Sequence, residues 1–223
     1  MSAPETSAPP ETGQTIDRFS RSSRWVHWLT AIPMIICILT AAVLYNGQIA
    51  VIAGHRYLVE QIHVYSGFAL PVPMVVGILS RAYRDDARRL NRFTSRDWAW
   101  LQSRTRRDGT IEVGKFNAGQ KLNAALSAGS IGVLLISGVV MYFTNLAPLP
   151  WRSGATFVHD WFALAVGLLV IGHIVMAVRD PYAMAGMRSG RVPLRWARRE
   201  HGGWAREVAG DPPQAAAEDH SEA

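Results

Sequence analysis

The chain has one cysteine, Cys37, and it lies in an apolar run. A single thiol excludes an intrachain disulfide, a cysteine-ligated cluster and a zinc ribbon within this chain. Charge is scarce as well. Asp, Glu, Lys and Arg together make up 18% of the 223 residues, against 49% hydrophobic residues; a soluble domain carries about 25% charged residues. Residues 1–15, rich in Ser, Thr, Pro, Ala and Glu, lack both a basic n-region and an early apolar core. A cleavable signal peptide is therefore not expected there, and the stretch reads as a disordered lead. The net charge of +6 would suit nucleic acid, but the places where basic residues are missing argue for another use of that charge.

Four apolar segments are present, at about 25–45, 63–80, 122–143 and 157–178. Each approaches the length of about 20 residues that crosses a bilayer, and a backbone in lipid must satisfy its own hydrogen bonds, so all four are expected to be helices. Pro71 and Pro73 predict a kink in the second. Of the 23 Lys and Arg, 21 lie before the first segment, between the second and third, or after the fourth; only Arg56 and Arg152 fall in the other two loops. By the positive-inside rule, both termini and the middle loop are expected on the cytoplasmic side of the membrane. Basic residues placed in this way orient a membrane protein, and no nucleic-acid partner is expected. The chain divides into a lead at 1–17, a four-helix membrane domain at 18–208, and an acidic, disordered tail at 209–223. The fold class is an all-α four-helix membrane bundle.

Seven histidines are present, and four of them, His27, His63, His159 and His173, lie in or at the ends of the apolar segments, where a polar side chain is costly and usually functional. His201 and His220 fall in the polar tail and suggest no role. By depth the four form two pairs, His27 with His173 near the inner end and His63 with His159 near the outer end. The fourteen residues from His159 to His173 fall about 40° short of four full helical turns, so both rings point to one face, about 21 Å apart along the axis. That spacing leaves room for two large planar ligands stacked in depth. Two axial imidazoles per iron would give six-coordinate haems b suited to electron transfer rather than oxygen chemistry. Gly67, Gly129, Gly132, Gly138, Gly167 and Gly172 would let helices and porphyrins approach closely. The competing readings are interfacial histidines, another histidine-bound metal, and His55 in place of His63.

KFNAGQK, Lys115 to Lys121, enters the third helix level with His27 and His173. Asn117 and Gln120 offer amide donors to quinone carbonyls, and Lys121 offers a charge or a proton route. The same residues also read as an Asn N-cap followed by a polar first turn.

RWVHW, HVYSG, KFNAGQK, HDWFA with its partner His173, and the closing PLRWARREHGGWAREV resemble the cytochrome b556 (gamma) subunit of membrane-bound formate dehydrogenases, a family akin to the cytochrome b subunits of nickel–iron hydrogenases. The likeness runs from about Phe19 to Val208. It implies two haems b, with His27 and His173 as axial ligands of one and His63 and His159 of the other. It implies electrons arriving from an iron–sulfur (beta) subunit beside a molybdenum- or tungsten-containing catalytic (alpha) subunit. It also implies delivery to a menaquinone or ubiquinone near the cytoplasmic face, at Asn117, Gln120 and Lys121, with His173 bordering the site. Formate oxidation would belong to the alpha subunit. The alternatives are the same design serving a hydrogenase or another respiratory dehydrogenase, and a cofactor-free membrane anchor.

Overall fold

The structure, a computed structural model, describes residues 13–105 and 110–210. Helix α1 (Arg21–Tyr45) starts where the Ser20 hydroxyl accepts from the Ser23 amide at 3.1 Å, satisfying one of the free donors of the first turn. Asn46 then caps the short α2 (Gly47–Ala53) in the same way, and Gly54, at φ 73°, ends it. The second apolar run forms α3 (Arg56–Ala69) and α4 (Pro71–Gly77). It begins before the expected residue 63 and is interrupted at Leu70, because Pro71 and Pro73 have no N–H to continue the ladder. Helices α5 (Arg81–Asn91) and α6 (Ser95–Gln102) make up the middle segment, and α5 leaves α3–α4 at 106°. Helices α7 (Ala118–Tyr142) and α8 (Leu149–Arg179) follow. Helix α8 starts eight residues earlier than the expected 157, since Pro148 and Pro150 sit at its first positions, where proline is tolerated.

Helices α1, α7 and α8 are each long and apolar enough to cross a membrane, and the bent run of α3, α4 and α5 makes a fourth span when counted together. Helix α7 packs along α8, and α1 packs along α3 and α4. The two pairs meet at a layer of four buried residues: Met34, Leu70, Ile131 and Val166. Each long apolar run supplies one member. Val166 is seven residues from both His159 and His173, so the layer lies about 10 Å from either histidine level.

The end of the bundle that carries His27 and His173 is closed by a cap. Strand β1 (Thr15–Asp17) pairs antiparallel with β2 (Arg191–Pro193), with Ile16 opposite Val192. Helices α9 (Pro181–Ser189), α10 (Leu194–Glu200) and α11 (Gly202–Ala209) complete it. The lead expected to be disordered through residue 17 is therefore corrected at 15–17. Ile16 packs against the cap core of Val192, Leu194, Trp196, Ala197, Trp204 and Ala205, and Leu194 donates to the Gln14 carbonyl. The acidic tail expected from 209 begins later than that, since α11 runs through Ala209; its residues 211–223, and the lead's residues 1–12, lie outside the described residues.

Arg18 fastens the cap and is 2% exposed. Its guanidinium lies 4.6 Å from the Trp196 ring centre and donates to the Lys115 carbonyl and to His201 Nε2. His201, which the sequence leaves without a role, is also 2% exposed; its Nδ1 donates to the Gly114 carbonyl, leaving Nε2 to accept from Arg18. Burial lowers the Arg18 pKa to about 10 although Asp180 and Asp86 pull it upward, a cost that the aromatic faces around the cation offset.

Candidate functional site

The structure brings the four membrane histidines together in two pairs. The ring centroids of His27 on α1 and His173 on α8 are 6.2 Å apart. Those of His63 on α3 and His159 on α8 are 6.3 Å apart. Two imidazoles bonded to one metal at about 2 Å each, from opposite sides, place their centroids about 6 Å apart. Both pairs thus have the separation that a shared iron requires. His55 stands apart, as the exposed N-cap residue of α3.

Two hydroxyls that sequence reasoning passed over sit behind the pair at the far end from the cap. Thr40 Oγ1 is 2.9 Å from His63 Nδ1, and Ser137 Oγ is 3.0 Å from His159 Nδ1. Each hydroxyl also donates to the carbonyl four residues earlier in its helix, Thr40 to Ile36 and Ser137 to Val133, both at 2.7 Å. With that single proton committed, each hydroxyl oxygen accepts from the Nδ1–H of its histidine. The lone pair is then on Nε2, the nitrogen left for a metal. A sequence signal existed, since both are hydroxyls inside membrane-length helices. It is weak because such hydroxyls commonly bond their own helix. Among the described residues, no hydrogen bond reaches a ring nitrogen of His27 or His173.

Two glycines mark the same end. Gly138 faces His159, and a Cβ there would stand 3.4 Å from His159 Cε1, at the close end of ordinary contact. Gly67, one turn beyond His63, has no atom within 4 Å of where its Cβ would be, which leaves a flat ligand free to lie against that helix. Arg152, two turns before His159 on the same helix face, has a buried Nε without a partner. An anionic substituent such as a haem propionate would satisfy it.

The KFNAGQK run forms the junction with the cap. Lys115 donates to Asp86 at 2.5 Å, and Ser23 donates to the other oxygen of the same carboxylate. Asn117 and Gln120 form a reciprocal capping box: Asn117 Oδ1 accepts from the Gln120 amide at 2.9 Å, and Gln120 Oε1 accepts from the Asn117 amide at 3.0 Å. Both side-chain NH2 groups remain available. Lys121 donates to both Asp97 oxygens, at 2.8 and 2.7 Å, and to the Arg92 carbonyl. Burial pushes the Asp97 carboxyl up, but hydrogen bonds from Lys121 and Thr94 outweigh it and hold the group below the ordinary carboxylate value. A cavity of about 270 Å³ lies beside these residues, lined by Asn117, Lys121 and Asp97 on its polar side and by Trp100, Val113 and Phe116 on its apolar side. Of the four residues expected at a quinone, Asn117 and Lys121 line this cavity; Gln120, on the same helix turn, is not among its lining residues. The fourth, His173, is with His27 instead, and no hydrogen bond or ring contact joins it to the others among the described residues.

Membrane-length helices and two facing histidine pairs agree with a membrane cytochrome b, and the family match gives that class and implies haem b as its cofactor. The chain belongs to the prokaryotic cytochrome b561 family, which matches residues 18–190. Similar proteins include the nitrate-inducible formate dehydrogenase cytochrome b556(Fdn) subunit of Escherichia coli K12. It is 32% identical over 100 residues, which cover 44% of this chain and 46% of that relative, so the match spans about half of its length. The formate dehydrogenase cytochrome b556(fdo) subunit of the same strain is 24% identical over 204 residues, covering 87% of this chain and 93% of the relative. The formate dehydrogenase cytochrome b556 subunit of Haemophilus influenzae is 27% identical over 211 residues, covering 86% and 83%.

Proposed function

We propose that this chain is the membrane-anchoring dihaem cytochrome b subunit of a formate dehydrogenase complex, moving electrons from an iron–sulfur subunit to a quinone. The observation that carries the reading is the pair of facing histidine couples, 6.2 and 6.3 Å between centroids, at the two ends of the α8 segment from His159 to His173. Each haem b supplies a one-electron couple when bound. His63 and His159 hold one from α3 and α8, and His27 and His173 hold the other from α1 and α8. Met34, Leu70, Ile131 and Val166 keep water out of the space between the two levels and fix their separation. The cap end, where the basic residues gather, is cytoplasmic by the positive-inside rule; with it go both termini.

At that end Asn117 presents its amide NH2 to a quinone carbonyl at the cavity and Gln120 offers a second from the same helix turn, while His173 stays with His27 as a haem ligand. The Asp97–Lys121 pair places a carboxylate and a cation at the cavity, where a quinone undergoing reduction needs charge compensation and a relay for protons. The curated relatives named above support formate dehydrogenase as the complex served, with catalytic and iron–sulfur partners on separate chains. A pyridine-haemochrome assay on the purified, detergent-extracted chain tests the reading. About two haems b per chain is the expected result. A well-folded chain that binds no haem would sink it in favour of a bare anchor.

A further inference from the structure

We propose that Thr40 and Ser137 are positioning residues that set the redox potential of the outer haem, the one at His63 and His159. This inference rests on the dihaem reading above. Two hydroxyls are placed alike on different helices. Each is tied to its own helix by a 2.7 Å bond to the carbonyl four residues earlier, and each meets the Nδ1 of an outer histidine at 2.9 or 3.0 Å. The helix bond fixes the hydroxyl proton, so the oxygen accepts from Nδ1–H. That selects one tautomer and one ring orientation on both ligands. The His159 ring lies against α7 at Gly138, where a Cβ would stand 3.4 Å from Cε1.

An imidazole whose Nδ1–H is held by an acceptor is a stronger electron donor through Nε2. Stronger donation from both sides stabilises the oxidised iron more than the reduced iron and lowers its potential. The inner pair, His27 and His173, has no such acceptor among the described residues. The two levels therefore differ in their outer shell although their four ligands are chemically identical. The direction suits a quinone at the cap end, because electrons moving from the outer level to the inner one then run toward the higher potential.

The test is a spectroelectrochemical titration of the haem-loaded chain, with the low-temperature EPR of the oxidised form. His173→Ala, which removes the inner ligand pair, assigns the two midpoints. In Thr40→Val and in Ser137→Ala, the outer midpoint rises and its EPR g-values move, while the inner midpoint stays. The double variant shifts further than either single one, and Thr40→Ser returns the wild-type midpoint and spectrum. An unchanged or lowered outer midpoint in a variant that keeps both haems overturns the inference. If Thr40→Val loses the outer haem, Thr40→Ser must restore both haem and midpoint, and its failure to do so also overturns it. A wild-type chain without haem overturns the dihaem reading itself, which the haem count shows before any variant is made.

Discussion

The bundle and the cap of this chain are stabilised in opposite ways. In the cap, Val192, Ala197 and Ala205 are completely buried, two tryptophans flank a buried arginine, and the charge pairs of Arg206 with Glu112 and of Glu207 with Arg89 tie α11 to the middle segment. In the bundle, the buried core shrinks to the four-residue layer at Met34, Leu70, Ile131 and Val166. Large apolar side chains such as Leu39, Leu168 and Val178 face outward, each more than 60% exposed. Outward apolar surface is a defect in water and the normal condition in lipid. The cap is a water-soluble core in miniature. The bundle places four histidines and leaves its outside to the membrane.

That difference predicts separable failures. The largest effect is expected from His173→Ala. On the proposed dihaem reading it removes one of two ligands to the inner haem, so the chain should hold about one haem instead of about two, with the outer absorption retained. The cap should keep its resistance to proteolysis, because none of its contacts involves that ring. Loss of both haems, or of neither, would contradict the pairing of His27 with His173 and would join the two regions that the comparison separates.

The division was only partly legible in the sequence. The four apolar runs follow from length and composition. The pairing of histidines follows from their depth and the fourteen-residue spacing on α8, because helical periodicity alone sets which residues share a face. The hydroxyls behind the outer pair were hidden, since nothing in one helix says which residue of another it meets. Thr40 and His63 are 23 residues apart in sequence, and Ser137 and His159 are 22. The cap was hidden more deeply. Its central contact, Arg18 to His201, spans 183 residues and joins a Pro- and Ser-rich lead to an Arg-rich tail, neither of which reads as core. KFNAGQK offered two readings. The capping box is formed, and the amide hydrogens that the quinone reading uses are left free by it.

A matched pair of truncations sharpens the comparison. Val192 in the cap is fully buried and Val166 in the bundle layer is 2% exposed, so valine to alanine removes the same two methyls from equally closed sites. In the cap the reference state is water, and Val192→Ala should cost about 1.5–3 kcal/mol. In the bundle the unfolded alternative is already in lipid, only packing is lost, and Val166→Ala should cost about 1 kcal/mol. Denaturant titration followed by tryptophan fluorescence reports the cap, through Trp196 and Trp204, once the other six tryptophans are replaced by phenylalanine. Retention of the haem spectrum on heating in detergent reports the bundle. Equal costs would mean that the layer around Val166 unfolds into water, and that the bundle is held together as the cap is.

The smallest expected effect separates the two roles of Asn117, where bundle and cap join. Aspartate caps a helix as well as asparagine does, so Asn117→Asp should keep the bond from the Gln120 amide and leave stability nearly unchanged. It replaces the NH2 donor with a second acceptor. If that donor serves a quinone carbonyl, electron delivery to a quinone analogue should slow about five- to tenfold, the value of one lost hydrogen bond with some added repulsion. Both haem midpoints should stay in place. Asn117→Ala removes cap and donor together and should lose about 1 kcal/mol of stability in addition. A rate that falls in Asn117→Ala but not in Asn117→Asp would assign the residue to the helix end alone. The quinone would then belong nearer His173, inside the bundle.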